Sequence, residues 1–339
     1  MPTPIDWEAA VRTGQRLAPH GPPVTSDEAA RAVADLRRFS RRAELRVRET
    51  TGLGEGLPVA DAEVVDRRGW VAATAQGMAT LTEPLADRLP PLRSGRSAVG
   101  AQVGVLLGYL SGRVLGQYDP VGSGSGDGRL LLVAPNVIKV EREIGAEPDD
   151  FRLWVCLHEG THRLQFTAVP WLVGYFRSLV DSYAAVAPTD TSEMLGRLVE
   201  AIRGRGDSAD AGAGWIQRIQ TPEQRQVFDA LMALMTLLEG HADHVMDAVG
   251  PSVVPSVASI RSAFTKRRRK GRGPIDRLVR TLLGMDAKMA QYVRGAAFVR
   301  GVVGRVGMEG FNAVWASPET LPTLPEIADP AGWVRRVHG

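Results

Sequence analysis

The spacing of apolar residues along the chain predicts a mainly helical protein. Residues 6–17 and 26–50 carry apolar side chains at intervals typical of amphipathic helices. The segment Thr51-Gly52-Leu53-Gly54 is expected to end the second helix, because glycine readily adopts the left-handed conformation found after helices. A third helix is expected to begin near Asp66.

Three prolines, Pro84, Pro90 and Pro91, predict a break after these helices. We therefore expect an N-terminal helical layer over residues 1–90, which need not fold independently, and a second region over residues 91–339. The stretch from Ala98 to Leu115 is apolar and has glycine at every fourth position. Small residues at that interval favour a buried helix packed closely on a neighbour, and its polar residues argue against a membrane helix.

One segment, Arg129-Leu130-Leu131-Leu132-Val133-Ala134, has the composition of a β-strand. It is compatible with an edge strand that could pair with an extended substrate, or with an ordinary buried strand. Together with the helices, it predicts a mainly α (α+β) fold with a small sheet.

Composition limits the possible function classes. The chain has 339 residues, 44% of them hydrophobic, and a net charge of +3, which makes no strong case for a nucleic-acid or membrane partner. The first residues lack the basic and apolar segments of a secretory signal, and no apolar run reaches the length of a membrane span. A cytoplasmic location is the expectation. The single cysteine, Cys156, is expected to be a small core residue.

The sequence His158-Glu159-Gly160-Thr161-His162 carries the strongest chemical signal. Pro148-Asp149-Asp150 predicts the start of its helix, and residues four apart on a helix share one face, so both imidazoles can reach one cation. A catalytic zinc ion takes three protein ligands and leaves a position for water. Glu159 is then the expected general base.

A second helical stretch, residues 237–245, contains further metal-binding residue types. Two of the six histidines, His241 and His244, lie here beside Glu239 and Asp243. Carboxylate and imidazole groups both bind zinc, so Glu239, His241 and His244 are alternative candidates for the third zinc ligand. His241 is otherwise expected to be an ordinary hydrogen-bonded residue, and His244 to line the cleft edge and bind substrate or a developing oxyanion.

Two further segments contain candidate functional residues. The basic run at residues 266–273 is interpreted as a solvated loop between helices, because no aromatic residue interleaves the cations to stack on bases. A nucleic-acid partner is therefore disfavoured. Tyr292 is a candidate for stabilising an oxyanion, although a tyrosine in the core or on the surface is the more common case.

The chain resembles two groups of zinc enzymes in its motifs. Glu239 and Asp243 resemble the Glu-x-x-x-Asp of gluzincins, which implies Glu239 as the third ligand and Asp243 as the carboxylate that orients a ligand histidine. Almost the whole chain resembles the zincin-like hydrolases, a bacterial group associated with biosynthesis of the deazaflavin coenzyme. The matching segments are Asp6-Trp7, Gly116-Gln117-Tyr118-Asp119-Pro120, Leu132-Val133-Ala134-Pro135-Asn136, His158 to His162, Pro170-Trp171-Leu172, Glu239 to His244 and Trp315-Ala316-Ser317-Pro318-Glu319.

This resemblance implies a predominantly helical zincin-like fold in which a small sheet borders the active-site helix. It implies that residues 91–339 form the metal-binding catalytic domain and that His158, His162 and Glu239 hold Zn²⁺. The resulting prediction is a zinc-dependent hydrolase, a metallopeptidase acting on a peptide or protein substrate. The alternative is a zincin-shaped binding or accessory protein with a vestigial metal site. The substrate, the metal present in cells and the oligomeric state are not predicted.

Overall fold

The computed structural model describes residues 5–83, 95–122, 128–186, 222–269 and 285–339. The elements up to the predicted active-site helix are α1 (Trp7–Leu17), α2 (Ser26–Thr51), β1 (Glu63–Val65), α3 (Arg67–Thr82), α4 (Arg96–Ser111), β2 (Gly116–Asp119), β3 (Arg129–Val133) and α5 (Ala134–Ile144). These are followed by α6 (Pro148–Thr167), α7 (Leu172–Val186), α8 (Pro222–Ala248), α9 (Val257–Arg269), α10 (Met285–Phe311), α11 (Leu324–Ala328) and α12 (Pro330–His338). The prediction of a mainly α fold with a small sheet is confirmed.

The predicted helix ends follow from local capping. The side chain of Thr25 accepts a hydrogen bond from the backbone of Glu28 at the start of α2, and Gly52 ends that helix with a φ of 72°. Asp66 caps α3 in the same way through the backbone N–H of Gly69. Gly145 ends α5 with a φ of 63°, and Pro148 begins α6 shortly after it.

The three strands form one sheet in the order β1-β3-β2. β1 pairs with β3 in parallel, and β2 pairs with β3 antiparallel. β3 is therefore the central strand of the described sheet, so of the two alternatives for this segment the buried strand is confirmed and the edge strand is wrong. Leu131 and Val133 of β3 are fully buried in one cluster with residues 70 and 71 of α3. Leu130 and Leu132, which face the other side of the strand, are buried too, and burial of both faces explains the continuous apolar sequence.

Helices α1 and α4 cross at the glycines of α4, as the four-residue repeat predicts. A methyl group on Gly100 would lie 2.2 Å from the carbonyl oxygen of Asp6, and one on Gly104 would lie 2.5 Å from that of Ala10. Only glycine allows the two backbones to approach this closely. The repeat is therefore a packing feature, and no helix in the described ranges has the length and hydropathy that a membrane crossing requires.

Helix α6 is anchored on α2 by apolar packing and by buried charge. Its residues Phe151, Leu153, Trp154, Val155, Cys156 and Leu157 are between 0% and 4% exposed. Arg163, directly after His162, donates to the carboxylate of Glu44 on α2, which also pairs with Arg48 of its own helix. Breaking such a buried pair costs about 3–5 kcal/mol, so these residues fix where the active-site helix lies.

The chain divides into two compact units, one of residues 1–174 and 242–265 and the other of residues 175–241 and 266–339. The division falls inside α8, so this continuous helix contributes to both units. The domain boundary predicted near residue 90 lies in residues 84–94, outside the described part of the chain.

The C-terminal part of the chain is more helical than the sequence predicted, and one prediction needs correction. Lys266 to Arg269 form the last turn of α9 and are not part of a loop, while residues 270–273 lie outside the described residues. The C-terminal tail contains short 3-10 turns followed by α11 and α12. Trp333 of α12 is fully buried against Phe298 of α10, which explains why so short a helix is stable.

Candidate metal centre

The two histidines of α6 converge on one point in space. The Nε2 atoms of His158 and His162 lie 3.2 Å apart, with their ring planes at 87° to each other. A tetrahedral zinc ion with two Zn–N bonds of about 2.0–2.1 Å would place these nitrogens about 3.3–3.4 Å apart. The helix therefore presents the two imidazoles at the separation that a shared zinc ion needs.

Glu239 of α8 completes a group of three. The ligand atoms of His158, His162 and Glu239 all lie within 4.8 Å of one another, and within the described ranges this is the one group of its kind. Glu239 as a whole is only 9% exposed. Two imidazoles and one carboxylate are a usual donor set for catalytic zinc, and a buried carboxylate gains strongly from a cation, so these residues fit the metal that the sequence predicts.

A glycine contact holds the part of α8 that carries Glu239. A methyl group on Gly240 would lie 2.1 Å from the carbonyl carbon of Gly295 in α10, and one on Gly295 would lie 2.1 Å from the carbonyl oxygen of Thr236. The two backbones therefore touch directly beside the carboxylate. This contact fixes the rotation of α8 about its axis and with it the direction of Glu239.

The Nδ1 atoms of His158 and His162, which lie on the far side of each ring from Nε2, each have a neighbouring side chain within the same compact unit. Nδ1 of His162 lies 2.9 Å from Oε1 of Gln165, which is fully buried, and Nδ1 of His158 lies 3.3 Å from the sulfur of Met246. With Gln165 accepting, His162 carries its proton on Nδ1 and presents the lone pair of Nε2. The sequence analysis did not identify Gln165 or Met246 as neighbours of the histidines. The position of Gln165, three residues after His162 on the same helix, is the only sequence signal that could have suggested one of these contacts.

Replacing Gln165 should weaken metal binding without removing a ligand. We expect Gln165→Leu to lower zinc affinity by about 10–100-fold, because His162 loses the acceptor that fixes its tautomer and orientation. Gln165→Glu retains an acceptor and should bind zinc nearly as well as the native protein. Competition with a chromogenic chelator measures both, with Met246→Leu as a control in which only a weak sulfur contact is lost. Unchanged affinity in Gln165→Leu would contradict this role.

The predicted general base, Glu159, lies against strand β2. A methyl group on Gly116 would lie 2.6 Å from Cγ and 2.9 Å from Oε1 of Glu159, so only glycine leaves room for this side chain. Glu159 is 6% exposed and follows His158 directly on α6. The first residue of β2 therefore determines where the carboxylate can lie.

Asp243 has a different partner from the one that the gluzincin resemblance implies. Its Oδ1 accepts from Nη1 of Arg261 at 2.7 Å, and its backbone carbonyl accepts from Nη2 at 3.1 Å. Arg261 also pairs with Asp247 and lies over the ring of Trp154. The Nδ1 atoms of His158 and His162 face Met246 and Gln165, and Asp243 instead links α8 to α9 through Arg261.

The remaining candidates lie apart from this group of three. His241 is fully buried and stacks on Phe311 and Trp315, with ring centroids 5.2 Å and 5.4 Å away. His244 is half-buried and lies about 140° around α8 from Glu239 at about 100° per residue, so its role toward an oxyanion stays a prediction. Tyr292 falls in α10, but its side chain lies outside the described part of the structure.

Cys156 is a core residue, as predicted. It is fully buried on α6, and its sulfur lies 3.8 Å from the carbonyl oxygen of Leu36 in α2. Burial, with a further contribution from the charge of Glu159, raises the pKa of the thiol well above its usual range. Cys156 therefore stays protonated at neutral pH and does not act as a thiolate ligand or nucleophile.

Comparison with known proteins agrees with this geometry. Residues 5–334 match the model of the family described as zincin-like metallopeptidase. The chain is also similar to a crystal structure from Chloroflexus aurantiacus described as "a putative hydrolase with a novel fold", at 34% sequence identity and a TM-score of 0.72, over 98% of this chain and 99% of that one. No curated protein matches the sequence. The chain belongs to the zincin-like metallopeptidase family.

Proposed function

We propose that this protein is a zinc-dependent hydrolase that cleaves peptide bonds, with His158, His162 and Glu239 as metal ligands and Glu159 as general base. The observation that carries the proposal is the convergence of the three ligand atoms within 4.8 Å of one another. Glu159 follows the first ligand on the same helix, which is the arrangement that hydrolysis by an activated water requires. The family and the similar hydrolase structure support the same reaction class.

The proposed chemistry divides between the metal and the protein. A divalent zinc ion, when bound, polarises a carbonyl oxygen and lowers the pKa of water. Glu159 takes a proton from the attacking water on its carboxylate and afterwards gives it to the leaving nitrogen. Gly116 leaves the room beside β2 that the Glu159 side chain occupies, and Gln165 keeps the Nε2 lone pair of His162 directed at the metal position.

The position of strand β2 favours a peptide as the substrate. It is at the edge of the sheet, with β3 on one side and no other strand on the opposite side among the described residues. An edge strand offers backbone N–H and C=O groups to an extended chain. Because Gly116 of this strand lies against Glu159, a peptide paired with β2 would pass beside the general base.

Metal removal tests the proposal. We expect zinc-loaded protein to cleave members of a quenched-fluorescence peptide library, to lose this activity after treatment with a chelator and to regain it when zinc is added back. His162→Ala, purified in parallel, controls for a contaminating peptidase and should stay inactive. Cleavage that survives chelation would contradict the proposal, and zinc binding without turnover of any peptide would favour the accessory-protein alternative.

A further inference from the structure

Between Phe151 and Phe166, helix α6 has one accessible stripe, and the two histidines of the proposed metal site occupy only part of it. From Phe151 to Phe166, every residue is buried except His158, His162 and Phe166, which are partly exposed. These three positions are spaced four residues apart, so they form a single row along the helix. Phe166 lies about 6 Å along the helix axis beyond His162. The accessible row that holds the metal site therefore continues onto an aromatic ring.

Strand β2 contributes a second aromatic ring to this row. The ring of Tyr118 stacks on Phe166, with centroids 5.9 Å apart and planes at 27°. Tyr118 lies two residues after Gly116, and alternate residues of a strand face the same side, so it shares the side that lies against Glu159. A methyl group on Gly128 would lie 2.0 Å from the Tyr118 hydroxyl oxygen, so the absence of a side chain there leaves room for this ring.

Exposure of both rings next to the metal ligands is the informative point. Aromatic rings that served only the core would be fully buried, as the rings of Phe298 and Phe311 each are. Phe166 and Tyr118 both remain partly exposed. Phe166 ends the row in which the two histidines are the only other accessible positions of residues 151–166. Partly exposed aromatic rings bind apolar groups well, because contact with a ligand removes apolar surface from water.

We propose that Phe166 and Tyr118 form the substrate-recognition surface of this enzyme, and that it takes an apolar substituent, an aromatic ring or a branched aliphatic chain, adjacent to the bond that is cleaved. This inference rests on the proposed function, because the metal fixes where the scissile carbonyl lies. The surface disfavours substrates with a carboxylate at this position, since the faces of aromatic rings carry negative partial charge and offer an anion no partner for the hydration it loses.

The test uses small hydroxamic acids as probes, because a hydroxamate binds zinc directly and needs no knowledge of the natural substrate. Calorimetry on zinc-loaded protein compares acetohydroxamic acid, 3-phenylpropionohydroxamic acid and succinohydroxamic acid. Acetohydroxamic acid measures binding to the metal centre alone. The second compound adds a phenyl ring, and the third adds a carboxylate at a similar distance from the hydroxamate. We expect the phenyl compound to bind about tenfold or more tightly than acetohydroxamic acid, and the succinyl compound to bind no more tightly.

Two variants test whether Phe166 and Tyr118 cause the preference for the phenyl compound. Phe166→Ala should bring the affinities for the phenyl and methyl compounds to within about threefold of each other while leaving that for acetohydroxamic acid unchanged. Tyr118→Phe keeps the ring and should keep the preference. The ranking of the three compounds on native protein remains decisive if Phe166→Ala fails to fold.

The outcomes separate this inference from the proposed function. Equal binding of the methyl and phenyl compounds to native protein would overturn the recognition surface and leave the metal centre intact. A phenyl preference that persists in Phe166→Ala would also overturn it, because another part of the molecule would then hold the ring. Failure of all three compounds to bind zinc-loaded protein would overturn the metal centre and this surface with it.

Discussion

Glu159→Gln is expected to keep its zinc and to lose activity by about 10²–10⁴-fold in kcat. The amide has the shape of the carboxylate and fits the same space beside Gly116, so the fold and the three ligands are unaffected. The amide cannot accept the proton of the attacking water, and this step is the one that the proposal assigns to Glu159. The measurement is kcat on the best peptide found in the library, together with metal content on the same preparation.

Asp149→Asn is the matched control for this variant. Asp149 is an exposed acid in the first turn of the same helix, and its weak contact with Arg38 spans 3.9 Å. The same change of acid to amide at this position should leave both kcat and metal content as they are. If Glu159→Gln turned over substrate at the native rate, the general-base assignment would be refuted even with zinc in place.

Glu239→Ala is expected to reduce zinc affinity by more than about 100-fold. This loss is larger than the one expected for Gln165→Leu, because Gln165 contacts a ligand and does not itself bind the metal. Glu239 supplies the only negative charge among the three ligands, and its loss leaves two neutral imidazoles. Chelator competition measures the change. The same experiment decides between Glu239 and its two rival histidines.

His241→Phe and His244→Ala are the comparison variants for the third ligand. Phenylalanine at residue 241 keeps the aromatic packing on Phe311 and Trp315, so the core should be preserved and zinc affinity should stay within about threefold of native. His244 lies on another face of α8 and should also be dispensable for binding. Loss of zinc in either variant with retention in Glu239→Ala would transfer the third position to that histidine.

Much of this architecture could be predicted from local sequence signals. The ends of α2 and α6 depend on capping residues and prolines within a few positions, and such signals are visible without tertiary information. The pairing of His158 with His162 depends only on the helical repeat, which is why a four-residue spacing was enough to predict it. The glycine repeat of α4 likewise indicated close packing, although not which helix would be its partner.

The features that the sequence did not reveal depend on contacts between distant segments. Nothing near residue 243 indicates that its carboxylate pairs with Arg261, 18 residues away, so the gluzincin resemblance led to a different expectation. The short strand β2 has a sequence typical of a turn, and its pairing with β3 determines its structure. The crossing at Gly240 and Gly295 also requires the tertiary structure, because either glycine alone is an unremarkable helix residue.

The central claim is that His158, His162 and Glu239 together hold one metal ion, and the most direct test is elemental analysis of purified protein after dialysis without chelator. We expect about one zinc per chain in the native protein and almost none in His162→Ala and Glu239→Ala, with all three proteins folded by circular dichroism. A native protein that takes up no metal even when zinc is offered, or variants that retain it fully, would contradict the account.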